Sequence, residues 1–314
     1  MTRAFIFPGQ GSQAVGMGKA LAEAFPCARE VFEEVDEALS QKLSRLMWDG
    51  PEADLVLTEN AQPAIMAASY AVIRVLQMEG GLDFARHARL VAGHSLGEYT
   101  ALAAVGAFTL ADAARLLKIR GRAMQDAVGV GEGAMSALLG IDIEGAEAAA
   151  REAEALGGVC VVANDNAPGQ VVISGSAQTV ARAGEIARTK GAKRAMALAV
   201  SAPFHCPLMQ PAADRMREAL AQVTIRPPAV PILANVSAAE TSEPETIRRL
   251  LVEQVTARVR WRESILALRG LGVDTTVEAG GNKVLTGMVK RIDKDLQTVA
   301  LDTPADIEAF AKSL

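Results

Sequence analysis

Leu90-Val91-Ala92-Gly93-His94-Ser95-Leu96-Gly97-Glu98-Tyr99 decides how the rest of the chain is read. Leu90 to Ala92 is an apolar run of the kind that ends a buried strand. Gly93-His94-Ser95-Leu96-Gly97 fits the pattern Gly-x-Ser-x-Gly, and Thr100 to Ala107 continues as a helix of small residues. Strand, glycine-flanked serine and helix, in that order, are the context in which such a serine acts as a nucleophile. Small neighbours are needed because backbones crowd at a sharp strand-to-helix turn. The hydroxyl then sits over the helix N-terminus. Free backbone N–H groups and the positive end of the helix dipole lie close enough there to stabilise an oxyanion. The competing reading is a glycine-rich turn whose serine caps a helix.

The 314 residues allow two domains or one large α/β domain. Half are hydrophobic, 22% are charged and only 4% are aromatic, which suits a core of small and aliphatic side chains. A net charge of −5 argues against general nucleic-acid binding but leaves room for a local basic patch facing one acidic partner. Three cysteines, Cys27, Cys160 and Cys206, include no Cys-x-x-Cys pair. They imply no disulfide framework and a reducing, cytoplasmic setting. Met1 to Phe5 runs straight into a strand-like stretch without the apolar region of a signal peptide, and no apolar run reaches the length of a membrane span.

Ala4 to Phe7 reads as a first strand, ending at the loop Pro8-Gly9-Gln10-Gly11-Ser12-Gln13. Gly9-x-Gly11-x-x-Ala14 matches a dinucleotide fingerprint, but that fold needs a second strand ending in an acidic residue about twenty positions on. Lys19 to Leu39 is instead helical, with a break at Pro26. The alternative is a loop that brings Gln10 and its backbone near Ser95. Glu59-Asn60-Ala61-Gln62-Pro63 then precedes an apolar helix, Ala64 to Met78, and Thr109 opens a helix that runs through Arg120 and Arg122. Beyond the Gly-rich hinge Val128 to Gly133 the rhythm changes. Ala134–Gly140 is a strand, Glu144–Leu156 a helix and Val159–Ala163 a strand; Asn164–Gly169 is a turn. Gln170–Ser174 is a strand, Ala177–Lys190 a helix and Lys193–Leu198 a strand. The order β-α-β-β-α-β is that of a ferredoxin-like unit. The expected division is therefore a large α/β domain over residues 1–130 and 200–314, with a small domain, 131–199, inserted in it. After His205 come a helix (Leu208–Gln222), a strand (Val230–Ala234), helices over Pro244–Val255 and Arg262–Gly270, and a strand (Asp274–Glu278). The turn Ala279-Gly280-Gly281-Asn282, the helix Lys283–Ile292 and the apolar segment Thr298–Leu301 complete the reading.

A nucleophilic serine needs a base. Of the three histidines, His87 lies among arginines, and His94 adjoins Ser95, where neighbouring side chains diverge. His205, in a late loop, suits the base. No carboxylate stands out as its orienting partner. Asp214 and Glu218 lie on the following helix and Glu98 on the helix after the elbow, so a backbone carbonyl or an amide serves equally well. A guanidinium binds a carboxylate through two parallel bonds, and Arg120 and Arg122 point to different helix faces. Spacing alone does not choose between them.

The motifs form an ordered series: Phe7 to Gln13, Gln62-Pro63-Ala64, Gly93 to Tyr99, Arg120-Gly121, Asn164 to Gln170, Pro203-Phe204-His205-Cys206 and Leu285-Thr286-Gly287-Met288. This series, spread over nearly the whole chain, resembles the malonyl-CoA:acyl carrier protein transacylase family of type II fatty acid synthesis. The resemblance implies a hydrolase-like large domain with a mainly parallel sheet and an inserted ferredoxin-like small domain. It implies that Ser95 carries the malonyl group and His205 acts as base and then acid. The backbone N–H groups of Gln10 and Leu96 would form the oxyanion hole, Arg120 would clamp the free carboxylate, and the Gln254 backbone carbonyl would orient the histidine. Asn166 and Phe204 join the substrate-binding group, with Phe204 crowding the place of an α-methyl substituent. No cofactor and no metal is implied, and a free-standing monomer is expected. Lys190, Lys193, Arg194, Lys283, Lys290 and Arg291 are candidates for a basic face that docks the acidic carrier protein. The family's late turn often reads Gly-Pro-Gly or Gly-Ala-Gly before Lys-Val-Leu; Asn282 stands in that turn here, and asparagine tolerates left-handed backbone geometry.

Overall fold

A computed structural model describes residues 1–314. Ten strands form two sheets. The first contains β1 (Arg3–Phe7), β2 (Leu90–Gly93), β7 (Ile232–Leu233), β8 (Glu240–Thr241), β9 (Thr275–Ala279) and β10 (Gln297–Leu301) in the order β10-β9-β1-β2-β7-β8. All pairings are parallel except β7 with β8. The central strands carry unbroken apolar runs because both sheet faces are covered, which is why Leu90 to Ala92 shows no alternation. Phe7 on β1 is in register with Gly93 on β2, so the Pro8–Gln13 loop and the serine elbow leave the sheet side by side. Ligands in open parallel sheets bind at these carboxyl ends.

The second sheet contains β3 (Gly133–Leu139), β4 (Cys160–Ala167), β5 (Gln170–Ser176) and β6 (Arg194–Ala197) in the order β4-β5-β3-β6, antiparallel throughout. Helices Ile143–Glu154 and Ala177–Thr189 pack on it, closing a separate apolar cluster around Leu138, Ile173 and Val180. This is the ferredoxin-like arrangement expected from the element order.

Several local readings are corrected. Asn164 to Ala167 is not a turn but the continuation of β4, with register shifts on either side of Asn164 and Asp165. Its polar residues stay in a buried strand because each has a tertiary partner. Asn164 bridges Val259, Asp165 takes both its carboxylate oxygens to Arg262 Nε at 3.0 and 2.9 Å, and Asn166 meets His94. The turn itself is only Pro168-Gly169. The helix expected from Ala64 begins at Thr58 and carries Pro63 inside it. Because the helix starts early, Gln62 lies on its buried face. The elbow helix runs Gly97–Ala104, the expected strand Val230–Ala234 shortens to two residues, and helices Leu43–Asp49 and Pro304–Ala311 add to the elements expected from sequence. The terminal helix begins with a capping box between Thr303 and Asp306, a signal that lay legible in the sequence. No helix is long and apolar enough to cross a membrane.

Candidate active site

Ser95 follows β2 directly and holds φ at 54°, a left-handed conformation that costs a non-glycine residue about 1–2 kcal/mol. Neighbouring groups hold it there. Ser95 N donates to Asn235 Oδ1 at 2.7 Å, and Asn235 Nδ2 donates to Gly93 O at 2.6 Å. Asn235 follows β7, so the strand beside the elbow supplies its brace. The turn places Ser95 Oγ 2.8 Å from His205 Nε2. His205 is also left-handed, with φ at 57°, and is almost fully buried. Its Nδ1 donates to the main-chain oxygen of Gln254 at 2.8 Å, which leaves Nε2 as the acceptor facing the hydroxyl.

Arg120 lies on the helix Leu110–Asp126 and is 1% exposed. Arg122 on the same helix faces solvent, so burial makes the choice that spacing left open. The Arg120 guanidinium donates to Gln62 Oε1 at 2.9 Å, Gln254 Oε1 at 2.9 Å and Ser95 Oγ at 3.1 Å. All three acceptors are neutral.

These groups open into a cleft of about 410 Å³ between the two sheets. Gln10, Leu96, Arg120 and His205 line it from one side; Met135, Asn164, Asn166, Val172 and Leu198 line it from the other, with Phe204 at the side of the base. The loop after β1 is no nucleotide loop. A side chain at Gly9 would stand 2.7 Å from His94 O, so the loop presses on the elbow, and no helix begins until Lys19. Gln10 Nε2 is tied to Thr58 Oγ1 at 3.3 Å, and the main-chain N–H groups of Gln10 and Leu96 donate to no backbone carbonyl. His94 turns away from Ser95, donating through Nε2 to Asn166 Oδ1 at 2.8 Å and packing edge-on against Trp261. Asn166 therefore reaches the cleft wall but spends its oxygen on His94. No cluster of His, Cys, Asp and Glu is arranged to hold a metal ion.

Burial, seconded by the positive charge of Arg120, pushes His205 down to about 3 from its usual 6.5. The folded protein therefore resists protonating this group while the unfolded chain accepts the proton. Stability tied to His205 is complete above pH 6.5 and drains away as pH falls toward 3. The variant His205→Gln lacks that proton linkage. Its Tm, measured by calorimetry between about pH 6.5 and 4, should fall less steeply than that of the parent chain. Equal slopes would place the histidine outside this account.

The acyl transferase domain family matches residues 4–303 of the chain. A malonyl CoA-acyl carrier protein transacylase from Bacillus subtilis (strain 168) is 45% identical over 313 residues, covering 99% of this chain and 96% of the relative. The chain belongs to the malonyl CoA-acyl carrier protein transacylase family. A transacylase of the same description from Escherichia coli (strain K12) is 44% identical, covering 98% of this chain and 97% of the relative. The crystal structure of an acyl-carrier-protein-S-malonyltransferase from Bartonella henselae superposes with a TM-score of 0.97 at 55% identity, covering 100% and 99% of the two chains. A malonyl-transacylase solved in complex with its type II PKS acyl-carrier protein superposes at 0.96 with 41% identity and complete coverage of both chains.

Within this transacylase chain the structure brings Ser95, His205, Arg120 and Gln254 together and sets Gln10, Leu96, Asn166 and Phe204 around them. Three neighbours are additions to that set. Asn235 and Glu98 brace the elbow from 140 and 3 residues away, and Gln62 holds Arg120. Gln62 sits in one of the motifs that carry the resemblance, yet sequence alone assigns it no role. None of the six basic residues lines the cleft. Lys190 is paired with Glu152, Arg291 donates to Gln170 Oε1 and Pro168 O, and Lys193, Arg194, Lys283 and Lys290 are exposed and make no ion pair.

Proposed function

We propose that this chain moves a malonyl group from malonyl-CoA to the phosphopantetheine thiol of acyl carrier protein through an ester on Ser95. Ser95 Oγ attacks the thioester carbonyl while His205 Nε2 takes its proton. The developing oxyanion faces the N–H of Leu96 at the helix N-terminus and that of Gln10 in the loop after β1. Coenzyme A leaves as a thiol, protonated from His205. The carrier thiol then gives its proton to His205 and attacks the ester, and Ser95 regains its proton as the product thioester departs.

The observation that carries this reading is the buried Arg120 guanidinium 3.1 Å from the nucleophile. A cation held there by neutral acceptors suits an acyl group ending in a second carboxylate. A charge-assisted hydrogen bond contributes about 1.5–3 kcal/mol, so Arg120→Ala should slow malonyl transfer by about 10- to 100-fold and acetyl transfer far less. Equal loss on both substrates removes the clamp. Intact-mass spectrometry after mixing with malonyl-CoA should show a malonyl adduct that disappears when holo carrier protein is added, with the group recovered on the carrier. Release of free malonate at the same rate without carrier would make the enzyme a thioesterase. Phe204 beside His205 favours malonyl over methylmalonyl. Residues 131–199 form the inserted unit, the enzyme works as a monomer, and its three unpaired cysteines suit a reducing cytoplasm. Lys193, Arg194, Lys283 and Lys290 are the free cations of the candidate docking face, which also includes Lys190 and Arg291.

A further inference from the structure

The helix behind the serine is buried on every side, from Gly97 through Ala104. A leucine would suit such packing, yet residue 98 is a glutamate, 2% exposed. Burying a carboxylate is costly unless its oxygens are hydrogen-bonded. Its Oε2 accepts from Gln254 Nε2 at 2.7 Å and from Asn235 N at 3.2 Å. We propose that Glu98 is a positioning residue for transfer: it holds the Gln254 side chain in the one orientation that serves both His205 and Arg120.

Gln254 is the joint of the site. Its main-chain oxygen orients His205, its Oε1 accepts from Arg120 Nη2 at 2.9 Å, and its Nε2 donates to Ser95 O at 3.0 Å. The two ends of an amide differ, one only donating and the other only accepting. A flipped amide would turn Oε1 against the Glu98 oxygen and the NH₂ against the guanidinium, two repulsive contacts in a dry interior. Glu98 thus enforces one end as Arg120 enforces the other. Through Asn235, whose Oδ1 receives Ser95 N, the same glutamate oxygen also steadies the elbow. One buried atom therefore links the shoulders of nucleophile, base and clamp.

This proposal rests on the transfer reading above, and a reciprocal pair of variants tests it. Glu98→Gln loses the charge but keeps an oxygen in reach of both donors. Glu98→Asp keeps the charge but draws the oxygen back by one methylene. Two rates are measured for each: inactivation by phenylmethylsulfonyl fluoride, which reads Ser95 and His205 without any malonyl group, and the ratio of malonyl to acetyl transfer, which reads Arg120. Glu98→Gln should stay within about threefold of the parent on both, since both hydrogen bonds survive. Glu98→Asp should be inactivated about 10- to 100-fold more slowly and lose part of its malonyl preference, as misplacement by about 1 Å does elsewhere. A Glu98→Asp enzyme with lower Tm but parental rates would reduce Glu98 to a packing residue and overturn the proposal. So would the reverse ranking, which would make the charge decisive. If Glu98→Asp does not fold, a folded Glu98→Gln that loses more than about tenfold also overturns it. A parent chain that reacts with the sulfonyl fluoride but moves no malonyl group to carrier protein sinks the transfer reading instead, while the inactivation rates still decide the role of Glu98.

Discussion

Ser95→Ala should form no covalent adduct with malonyl-CoA, and His205→Ala should slow acylation by about 10³-fold or more. The two losses have one origin. A serine hydroxyl attacks a thioester only as its proton leaves, and the only acceptor within hydrogen-bond reach that can take that proton is His205 Nε2, at 2.8 Å. The main-chain oxygen of Gln254 can only accept, so it fixes the imidazole proton on Nδ1 and keeps the Nε2 lone pair free. At neutral pH the imidazole is uncharged, because burial and Arg120 push it down to about 3. On the proposed reading, a malonyl carboxylate seated on Arg120 would offset that positive charge and make His205 a stronger base when the substrate is in place. Time-resolved mass spectrometry of the acyl-enzyme measures both variants. An adduct persisting on Ser95→Ala would locate the nucleophile elsewhere.

Gly93→Ala and Gly97→Ala should each destabilise the fold by more than about 4 kcal/mol, or give no soluble protein. A Cβ at Gly93 would stand 1.9 Å from Gly97 C and 2.3 Å from Glu98 N; a Cβ at Gly97 would stand 2.3 Å from Phe7 O and 2.8 Å from Pro8 O. Every one of these atoms is backbone, so no side chain can rotate aside. The sheet register itself, Phe7 beside Gly93, brings these strand ends together. Gly287 is the control. It lies in the helix Val284–Ile292 with nothing within 4 Å of an added Cβ, so Gly287→Ala should be neutral or stabilising by about 0.5–1 kcal/mol. Denaturant titration of the three variants separates these outcomes. An elbow variant as stable as the parent would contradict the close approach.

The elbow was legible because its determinants are contiguous. An apolar strand, two glycines and a small-residue helix dictate one local geometry whatever surrounds them. The ferredoxin-like order was legible for a similar reason, since helix and strand periods alternate cleanly across residues 134–198. Glu98, Asn235 and Gln62 were not, because their work lies in partners far along the chain. Glu98 lies on a helix with no solvent face, and a buried helix carries no amphipathic signal for a polar position to break. Asn164 to Asn166 failed in the opposite sense. Three short polar residues favour a turn by local preference, and only Arg262, His94 and Val259, supplied from elsewhere, keep them in a strand.

The cleft is walled unequally. Ser95 and Arg120 hang from the parallel sheet and its helices, and His205 from the loop that leaves β6, while Met135, Val172 and Leu198 line the cleft from the antiparallel sheet or its flank and make no hydrogen bond to any of the three. Chemistry and fit are thus separately heritable. On the proposed transfer reading, substitutions in β3 and β5 would reshape the cleft wall while the hydrogen bonds joining Ser95, His205 and Gln254 stay intact.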